Sequence, residues 1–266
     1  MLITKELLII FIAILIVCLI GFKKYIWFIS IGYGLSIMIV GIMIPILFKD
    51  SSDIPYLISS VVLTAYGIRL GGYLAYRELK SSSYNKKMKN EISDGSHMTI
   101  PLKIMLWISC AILYLLMCSP IIYRFINKSE NDICYNIGLI IAIIGIIFEA
   151  ISDYQKSKSK RKNPNKICTT GLFKIVRCPN YLGELIIWTG VLISGITTLI
   201  DFQWLIAIIG YLGIVYIMFS GARRLELRQD RTYADDKDYH SYIKKTPILI
   251  PFIPLYSVKK HKWLVG

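Results

Sequence analysis

The residues best suited to chemistry lie in 171–184, GLFKIVRCPNYLGE, where a basic loop runs into an apolar stretch. Pro179 lacks the N–H group that a first helical turn leaves unbonded, so we predict a helix that begins there with its positive end facing the loop. Arg177 beside that end suits a phosphate or pyrophosphate, and Asn180 and Glu184 share one helix face. The competing interpretation is a membrane-interface anchor made of a basic residue and an aromatic one.

Two carboxylates precede this stretch, in IIFEAISDYQK. Glu149 and Asp153 are four residues apart and therefore lie on one face of a predicted helix. Carboxylates near a membrane need donors, and the candidates are Lys156, Lys160, Arg177 or the hydroxyl groups of a bound ribose. Neutralisation by the basic run 156–162 is the alternative explanation.

A third candidate is Arg69, inside an apolar stretch that continues as LGGYLAYRELK. Three tyrosines lie nearby: Tyr66, Tyr73 and Tyr76. An arginine within a membrane is costly unless it faces a polar cavity, so Arg69 is a candidate site residue. The pair Gly71 and Gly72 would admit a ligand or another backbone beside it. The alternative is that Arg69 only extends along its flexible stem to the interface.

Common metal and nucleotide signatures do not occur in the chain. The six cysteines are scattered without a CxxC pair, and His97, His240 and His261 form no cluster, so we predict no metal site. Neither GxGxxG nor GxxxxGK[ST] is present. Any nucleotide must therefore be held by something other than a Rossmann or P-loop module.

The elements that position these residues are predicted to be membrane helices. The chain has 266 residues that are 55% hydrophobic and 18% charged, with a mean hydropathy of +0.56, which is too apolar for a soluble domain. We predict an all-α integral membrane protein with seven transmembrane helices. Their predicted spans are 7–22, 26–48, 54–76, 102–123, 135–152, 181–200 and 203–220.

The net charge of +14 follows the predicted topology. With the N-terminus outside, 25 of the 31 lysines and arginines fall in inside segments and four in outside segments. This distribution argues against a nucleic-acid partner. It predicts an N-out, C-in membrane protein with the site entrance on the cytoplasmic side. Residues 221–245 predict a helix lying on that face.

Five short motifs follow one another in the second half of the chain: ISDY at 151–154, TGLF at 170–173, PNYLGE at 179–184, SGARR at 220–224 and LIPFIP at 249–254. In this order they resemble those of the C-terminal domain of the steroid 5-alpha-reductase family and the DUF1295-type bacterial membrane proteins grouped with it, which implies a bacterial cytoplasmic membrane. The resemblance covers roughly residues 135–254, and isoprenylcysteine methyltransferase-like proteins are related. It implies a seven-helical fold that binds NADPH from the cytoplasmic side.

The resemblance also implies roles for individual residues. Asn180 and Glu184 would hold the cofactor together with Tyr181 of the same motif. The remaining cofactor residues implied or suggested are Glu149, Asp153, Lys160, Arg177, Arg224, Glu226 and Tyr239. Residues 1–130 would then form the substrate side of the protein and residues 131–266 the cofactor side.

The chain departs from the family at two places. Cys178 stands where related bacterial members often have histidine. In steroid reductases a Gln-Glu pair that helps polarise the 3-oxo group precedes a proline of the second span. Here Ile42, Met43 and Ile44 precede Pro45. The second departure argues against a 3-oxo-4-ene steroid as the substrate.

The leading hypothesis is an NADPH-dependent reductase of a conjugated C=C bond in a lipophilic, steroid- or isoprenoid-like substrate. Tyr73 by preference, or Tyr76, would hydrogen-bond the substrate carbonyl or donate a proton, with Arg69 assisting. The alternative is an S-adenosylmethionine-dependent methyltransferase of the isoprenylcysteine type, which RCPNY and Glu226 fit in part. A third reading is a lipid-binding or scaffold membrane protein without chemistry.

Overall fold

The structure, a computed structural model, describes residues 4–49, 54–80 and 98–265, and over these residues its regular secondary structure is entirely helical. The helices are α1 Lys5–Cys18, α2 Ile26–Ile29, α3 Ile31–Leu47, α4 Ile54–Lys80, α5 Ile100–Ile126, α6 Ile133–Lys162, α7 Pro179–Gly195, α8 Phe202–Thr232 and α9 Lys237–Lys245, with 3-10 turns at Leu19–Phe22 and Gly171–Lys174. The predicted all-helical class is confirmed. His97 lies outside the described residues.

Five helical segments in the described part of the chain are long and apolar enough to cross a membrane. They are Lys5–Phe22, Leu57–Glu78, Ile100–Ile126, Ile133–Lys162 and Phe202–Thr232. The other two predicted spans correspond to α3 and α7, each of 17 residues. At 1.5 Å per residue these helices are about 25 Å long, shorter than a hydrocarbon core of about 30 Å. The protein is an integral membrane protein, whereas seven crossings and the N-out orientation stay predictions.

Two helix boundaries illustrate how the sequence sets the elements. The predicted start of a helix at Pro179 is confirmed by α7. The prediction of one tail helix over 221–245 is wrong in detail, because residues 221–232 continue α8 and only Lys237–Lys245 forms a separate helix. Asp236 begins that helix by accepting the N–H groups of Asp238 and Tyr239. The break therefore lies at a capping residue, 15 residues beyond the predicted start.

One compact unit comprises Met1–Leu139 and Val191–Gly210. In it α3 and α4 pack backbone against backbone. A Cβ atom on Gly34 would lie 2.4 Å from the backbone nitrogen of Gly71, and one on Gly67 would lie 2.4 Å from that of Met38. Of the predicted glycine pair, Gly71 lies against another backbone, but a Cβ on it would meet Leu35 N at 3.5 Å, an ordinary contact, so the close approach depends on Gly34. A Cβ on Gly72 would meet open space.

A fully buried arginine organises one end of this unit. Arg124 donates to the carbonyl oxygen of Ser194 at 2.9 Å and to Thr197 Oγ1 at 3.1 Å, and it also pairs with the carboxylate of Asp132. Its guanidinium lies 4.7 Å from the centre of the Tyr135 ring. These bonds tie the loop after α5 to the end of α7, so Arg124 has a structural role.

The other compact unit comprises Ile140–Gly190 and Tyr211–Gly266. It contains most of α6, α7 and α8, all of α9, and the C-terminal segment. A Cβ atom on Gly145 would lie 2.7 Å from the backbone nitrogen of Ile187, which shows how closely α6 and α7 pack. The functional division predicted at residue 130 stays a prediction.

Candidate functional site

The entrance to α7 is fixed by the C-terminal part of the chain. The backbone N–H groups of Arg177 and Cys178 donate to the carbonyl oxygens of Pro247 and Ile248, at 2.9 and 3.0 Å. Tyr242 also donates its hydroxyl to the carbonyl oxygen of Phe173 at 2.6 Å. Two N–H groups in front of the helix are therefore already bonded.

Arg177 and Glu226 form a buried ion pair. Their Nη2 and Oε1 atoms are 3.0 Å apart, and the side chains are 1% and 2% exposed. Each side chain also binds the C-terminal segment: Arg177 donates to the carbonyl oxygen of Tyr256, and Glu226 accepts the N–H of Val258 at 2.9 Å. Buried charges are costly unless such further bonds are made, so the pair holds residues 256–258 in place.

Arg177 keeps some capacity for a ligand. Its Nε and Nη1 atoms have no hydrogen-bond partner among the residues that the structure describes. The phosphate role predicted for Arg177 therefore stays a prediction, limited to these two nitrogens.

The predicted carboxylates of α6 lie beside the predicted cofactor residues of α7. A Cβ atom on Gly183 would lie 2.7 Å from the Cβ of Glu149, so this close approach requires glycine. Asn180 lies three residues before Gly183 in the chain, and Glu184 lies one residue after it. Glu184 is 5% exposed and accepts a hydrogen bond from Trp188 Nε1 at 3.1 Å. The structure thus brings Glu149 next to the PNYLGE motif.

Helix α8 approaches the same part of α7. A Cβ atom on Gly221 would lie 3.3 Å from the ring of Tyr181. Three buried polar atoms on α6, α7 and α8 have no hydrogen-bond partner within the described ranges: Ser152 Oγ, Asn180 Oδ1 and Ser220 Oγ. Buried polar atoms normally bond to something, and a polar ligand or water would satisfy these three.

Lys160 and Tyr239 belong to a second polar cluster, which is centred on Tyr233. Lys160 Nζ lies 2.5 Å from Tyr233 Oη and 5.2 Å from the centre of its ring, and the Tyr239 ring packs against Tyr233 with centroids 5.6 Å apart. Lys160 also donates to the carbonyl oxygen of Lys166 at 2.6 Å. The loop after α6 therefore uses part of the donor capacity of Lys160. The side chain of Arg224 is exposed.

Tyr239 is an acid that stays protonated in the fold. It is fully buried and donates its hydroxyl to Asp230 Oδ1 at 2.6 Å, while Lys259 pairs with the other oxygen of Asp230 at 2.9 Å. Burial, and then the bond to Asp230, raise the pKa of Tyr239 well above its usual value. This arrangement anchors α9 to α8.

The predicted catalytic residues lie in the other compact unit, on α4. Arg69 is half-buried, with its guanidinium 6.0 Å from the centre of the Tyr66 ring. The guanidinium carbon of Arg77 lies 5.7 Å from the centre of the Tyr73 ring. The side chain of Tyr76 is 63% exposed. Tyr66 of this helix is fully buried, and its hydroxyl is 3.1 Å from that of Tyr33.

Sequence reasoning missed several polar residues that the structure places at notable positions. Ser152 and Ser220 lie inside the quoted ISDY and SGARR motifs, so their motifs could have indicated them. Glu78 is 5% exposed and accepts hydrogen bonds from Lys24 at 3.0 Å and Trp27 Nε1 at 2.6 Å. No local pattern indicates this contact, because the partners are more than 50 residues apart in the chain.

The metal-ligating residue types and the thiol of Cys178 are two further candidate sources of chemistry. Within the described ranges, no three His, Cys, Asp or Glu side chains come together as metal ligands would. Cys178 is a buried free thiol, and burial raises its pKa to about 12. The thiol is therefore protonated at neutral pH and cannot replace a histidine as a base.

Comparisons with known proteins relate the chain to a protein family and to a curated enzyme. A family model described as "Protein of unknown function (DUF1295)" matches residues 17–246. Steroid 5-alpha-reductase DET2 of Gossypium hirsutum is 27% identical over 119 residues, which are 44% of this chain and 41% of that protein. The chain thus matches less than half the length of this curated relative. No solved structure matches the chain significantly.

The family match covers most of the chain, including both the helices of the candidate site and the predicted substrate side. The chain therefore belongs to the DUF1295 family, and part of it is similar to a steroid 5-alpha-reductase.

Proposed function

We propose that the protein is a membrane NADPH-dependent reductase of a conjugated C=C bond in a lipophilic, steroid- or isoprenoid-like substrate. The observation that carries this proposal is that α6, α7 and α8 each bear a buried polar atom with no hydrogen-bond partner among the described residues, in a chain that is similar in part to a steroid 5-alpha-reductase. When bound, NADPH would supply the hydride for the double bond.

The donor and acceptor set around α7 fits the non-phosphate part of a nicotinamide nucleotide. Ser152 Oγ, Asn180 Oδ1 and Ser220 Oγ are buried and lack hydrogen-bond partners among the described residues. Ribose hydroxyl groups and a carboxamide could satisfy these atoms, since both kinds of group donate and accept. Glu149 and Glu184 would accept from the same hydroxyl or amide groups.

The anionic part of the nucleotide needs cations. Two donors that the unit offers are the Nε and Nη1 atoms of Arg177, which have no partner among the described residues, and the exposed guanidinium of Arg224. Lys160 would be a third if it exchanged the carbonyl oxygen of Lys166 for a phosphate oxygen. The site would then also be lined by the remaining predicted residues, Asp153, Tyr181, Glu226 and Tyr239. Glu226 would orient Arg177 through their ion pair.

On the substrate side we propose that a tyrosine hydroxyl polarises the substrate carbonyl, with Tyr73 preferred over Tyr76 and with Arg69 assisting. The structure adds Tyr66, because this residue is buried, bonded to Tyr33 and covered by Arg69. Once a substrate is found, Tyr66→Phe, Tyr73→Phe and Tyr76→Phe can be compared. The variant that lacks the hydroxyl group acting on the substrate carbonyl should have a kcat lower by about 10²–10⁴-fold.

The alternative methyltransferase function also has a specific observation in its favour. Three carboxylates, Glu149, Asp153 and Glu184, are buried in this unit. Carboxylates favour a nearby positive charge, so they would suit a cationic sulfonium ligand.

Thermal unfolding of the purified protein in detergent separates the two functions. A ligand at a hundred times its Kd stabilises the folded state by about 2.7 kcal/mol. We expect NADPH to raise the unfolding temperature and S-adenosylmethionine to leave it unchanged. Stabilisation by S-adenosylmethionine with no effect of NADPH would reverse the proposal.

A further inference from the structure

The C-terminal segment, residues 255–264, packs along α8 and encloses an apolar pocket of about 320 Å³. Leu212, Val215 and Phe219 line it from α8, and Val258, Trp263 and Leu264 line it from the C-terminal segment. This volume lies at the lower end of the range of small-molecule sites, about 300–1,000 Å³.

The pocket opens on an exposed, apolar face of α8. Leu212, Val215 and Phe219 are three and four residues apart, so they share one face of a helix that can cross a bilayer. Leu212 is 57% exposed and Trp263 is 65% exposed. An alkyl chain could therefore enter the pocket laterally from the surrounding lipid.

The C-terminal segment is held firmly enough to make the pocket preformed. Arg223 donates from Nε to the carbonyl oxygen of Lys259 at 3.1 Å and from Nη1 to that of Leu264 at 3.2 Å. The hydroxyl of Tyr216 donates to the carbonyl oxygen of Trp263 at 3.0 Å, and the two rings stack with centroids 6.1 Å apart. A tyrosine and a tryptophan at a pocket mouth are typical of the membrane interface.

The same segment brings positive charge to the pocket. Lys259 is paired with Asp230, whereas Lys260 and Lys262 are exposed and flank His261, which also lines the pocket. A basic cluster at a membrane surface attracts anionic lipid head groups. The charge next to the apolar pocket therefore selects a ligand that combines an alkyl chain with an anionic head group.

We propose that this pocket binds one acyl chain of an anionic phospholipid, with Lys260 and Lys262 holding the phosphate of its head group. The pocket shares no side chain with the proposed nucleotide site, so this lipid site is additional to the reductase function. A zwitterionic phospholipid would fill the pocket but gain less from the two lysines.

Native mass spectrometry of the full chain in detergent tests the proposal, with dioleoyl phosphatidylglycerol and dioleoyl phosphatidylcholine titrated separately. We expect one phosphatidylglycerol molecule to be retained in preference to phosphatidylcholine. Two lysines near an anionic head group correspond to about a 30-fold difference in Kd. The double variant Lys260→Gln/Lys262→Gln should lose that preference, while Lys244→Gln/Lys245→Gln, with the same charge change on α9, should keep it.

A second variant tests the apolar part of the pocket. In Val215→Trp the indole should fill the pocket, so that an acyl chain can no longer be buried there. Retention of both phospholipids should then weaken at least about tenfold. Glycerol 3-phosphate, which has the head-group charge without the chain, should not bind detectably. Equal retention by Val215→Trp, or an unchanged phosphatidylglycerol preference in Lys260→Gln/Lys262→Gln, would overturn the proposal, as would equal loss in the α9 control.

Discussion

At the scale of single residues, the Arg177–Glu226 pair shows how one side chain can be bound by structure and still offer atoms to a ligand. The pair is almost fully buried and also bonds to residues 256 and 258. Its first role is therefore to keep the C-terminal segment in place. Any nucleotide contact made by Arg177 depends on that role.

Replacing Glu226 by Gln should destabilise the folded protein even without a ligand. The change leaves the buried guanidinium of Arg177 without its counter-charge, which costs about 3–5 kcal/mol. Denaturant unfolding in detergent measures the loss. The exposed Glu130→Gln serves as the charge-matched control and should change stability by less than about 0.5 kcal/mol. An unchanged stability of Glu226→Gln would mean that the pair serves the ligand alone.

Cys178 should resist alkylation by N-ethylmaleimide at pH 8. Burial raises its pKa to about 12, so only about one molecule in 10⁴ carries the reactive thiolate at that pH. Because the raised pKa favours the protonated form, reactivity should increase as the pH rises towards 12. Peptide mass spectrometry gives the rate, with the half-buried Cys134 as the internal comparison. Equal rates at the two cysteines would contradict the burial of Cys178.

At the scale of elements, close helix packing through glycine positions the candidate site. Gly183→Ala would place a Cβ atom 2.7 Å from that of Glu149, whereas a Cβ on Gly72 meets open space. Overpacking costs about 1–3 kcal/mol, while alanine otherwise stabilises a helix relative to glycine. Gly183→Ala should therefore unfold at lower temperature than the wild type, and Gly72→Ala should not. Equal stability of the two variants would argue against the α6–α7 contact.

The elements also show what the sequence could and could not predict. The start of α7 at Pro179 and the closeness of Glu149 to the PNYLGE motif follow from local spacing and from the ordered motifs. The bonds from the N–H groups of Arg177 and Cys178 to Pro247 and Ile248 do not. These contacts join residues about 70 positions apart in the chain, and no local sequence pattern predicts them. Tyr233 was missed for the same reason.

At the scale of the whole molecule, the charge distribution predicts that the C-terminus faces the cytoplasm. A reporter fused after Gly266 tests this orientation. Green fluorescent protein should fluoresce there and alkaline phosphatase should be inactive, because 25 of the 31 basic residues lie in the predicted inside segments. The reverse pattern would invert the orientation and place the proposed nucleotide entrance on the outer side.

The central claim is that the unit containing α6, α7 and α8 binds NADPH through Glu184 and its neighbours. Nicotinamide fluorescence of NADPH titrated with the purified protein tests this claim most directly. We expect enhanced fluorescence with the wild type and with Glu130→Gln, and at least about a tenfold weaker Kd with Glu184→Ala, since one charge-assisted hydrogen bond is lost. Absence of enhancement with the wild type, or equal binding by Glu184→Ala, would contradict the account.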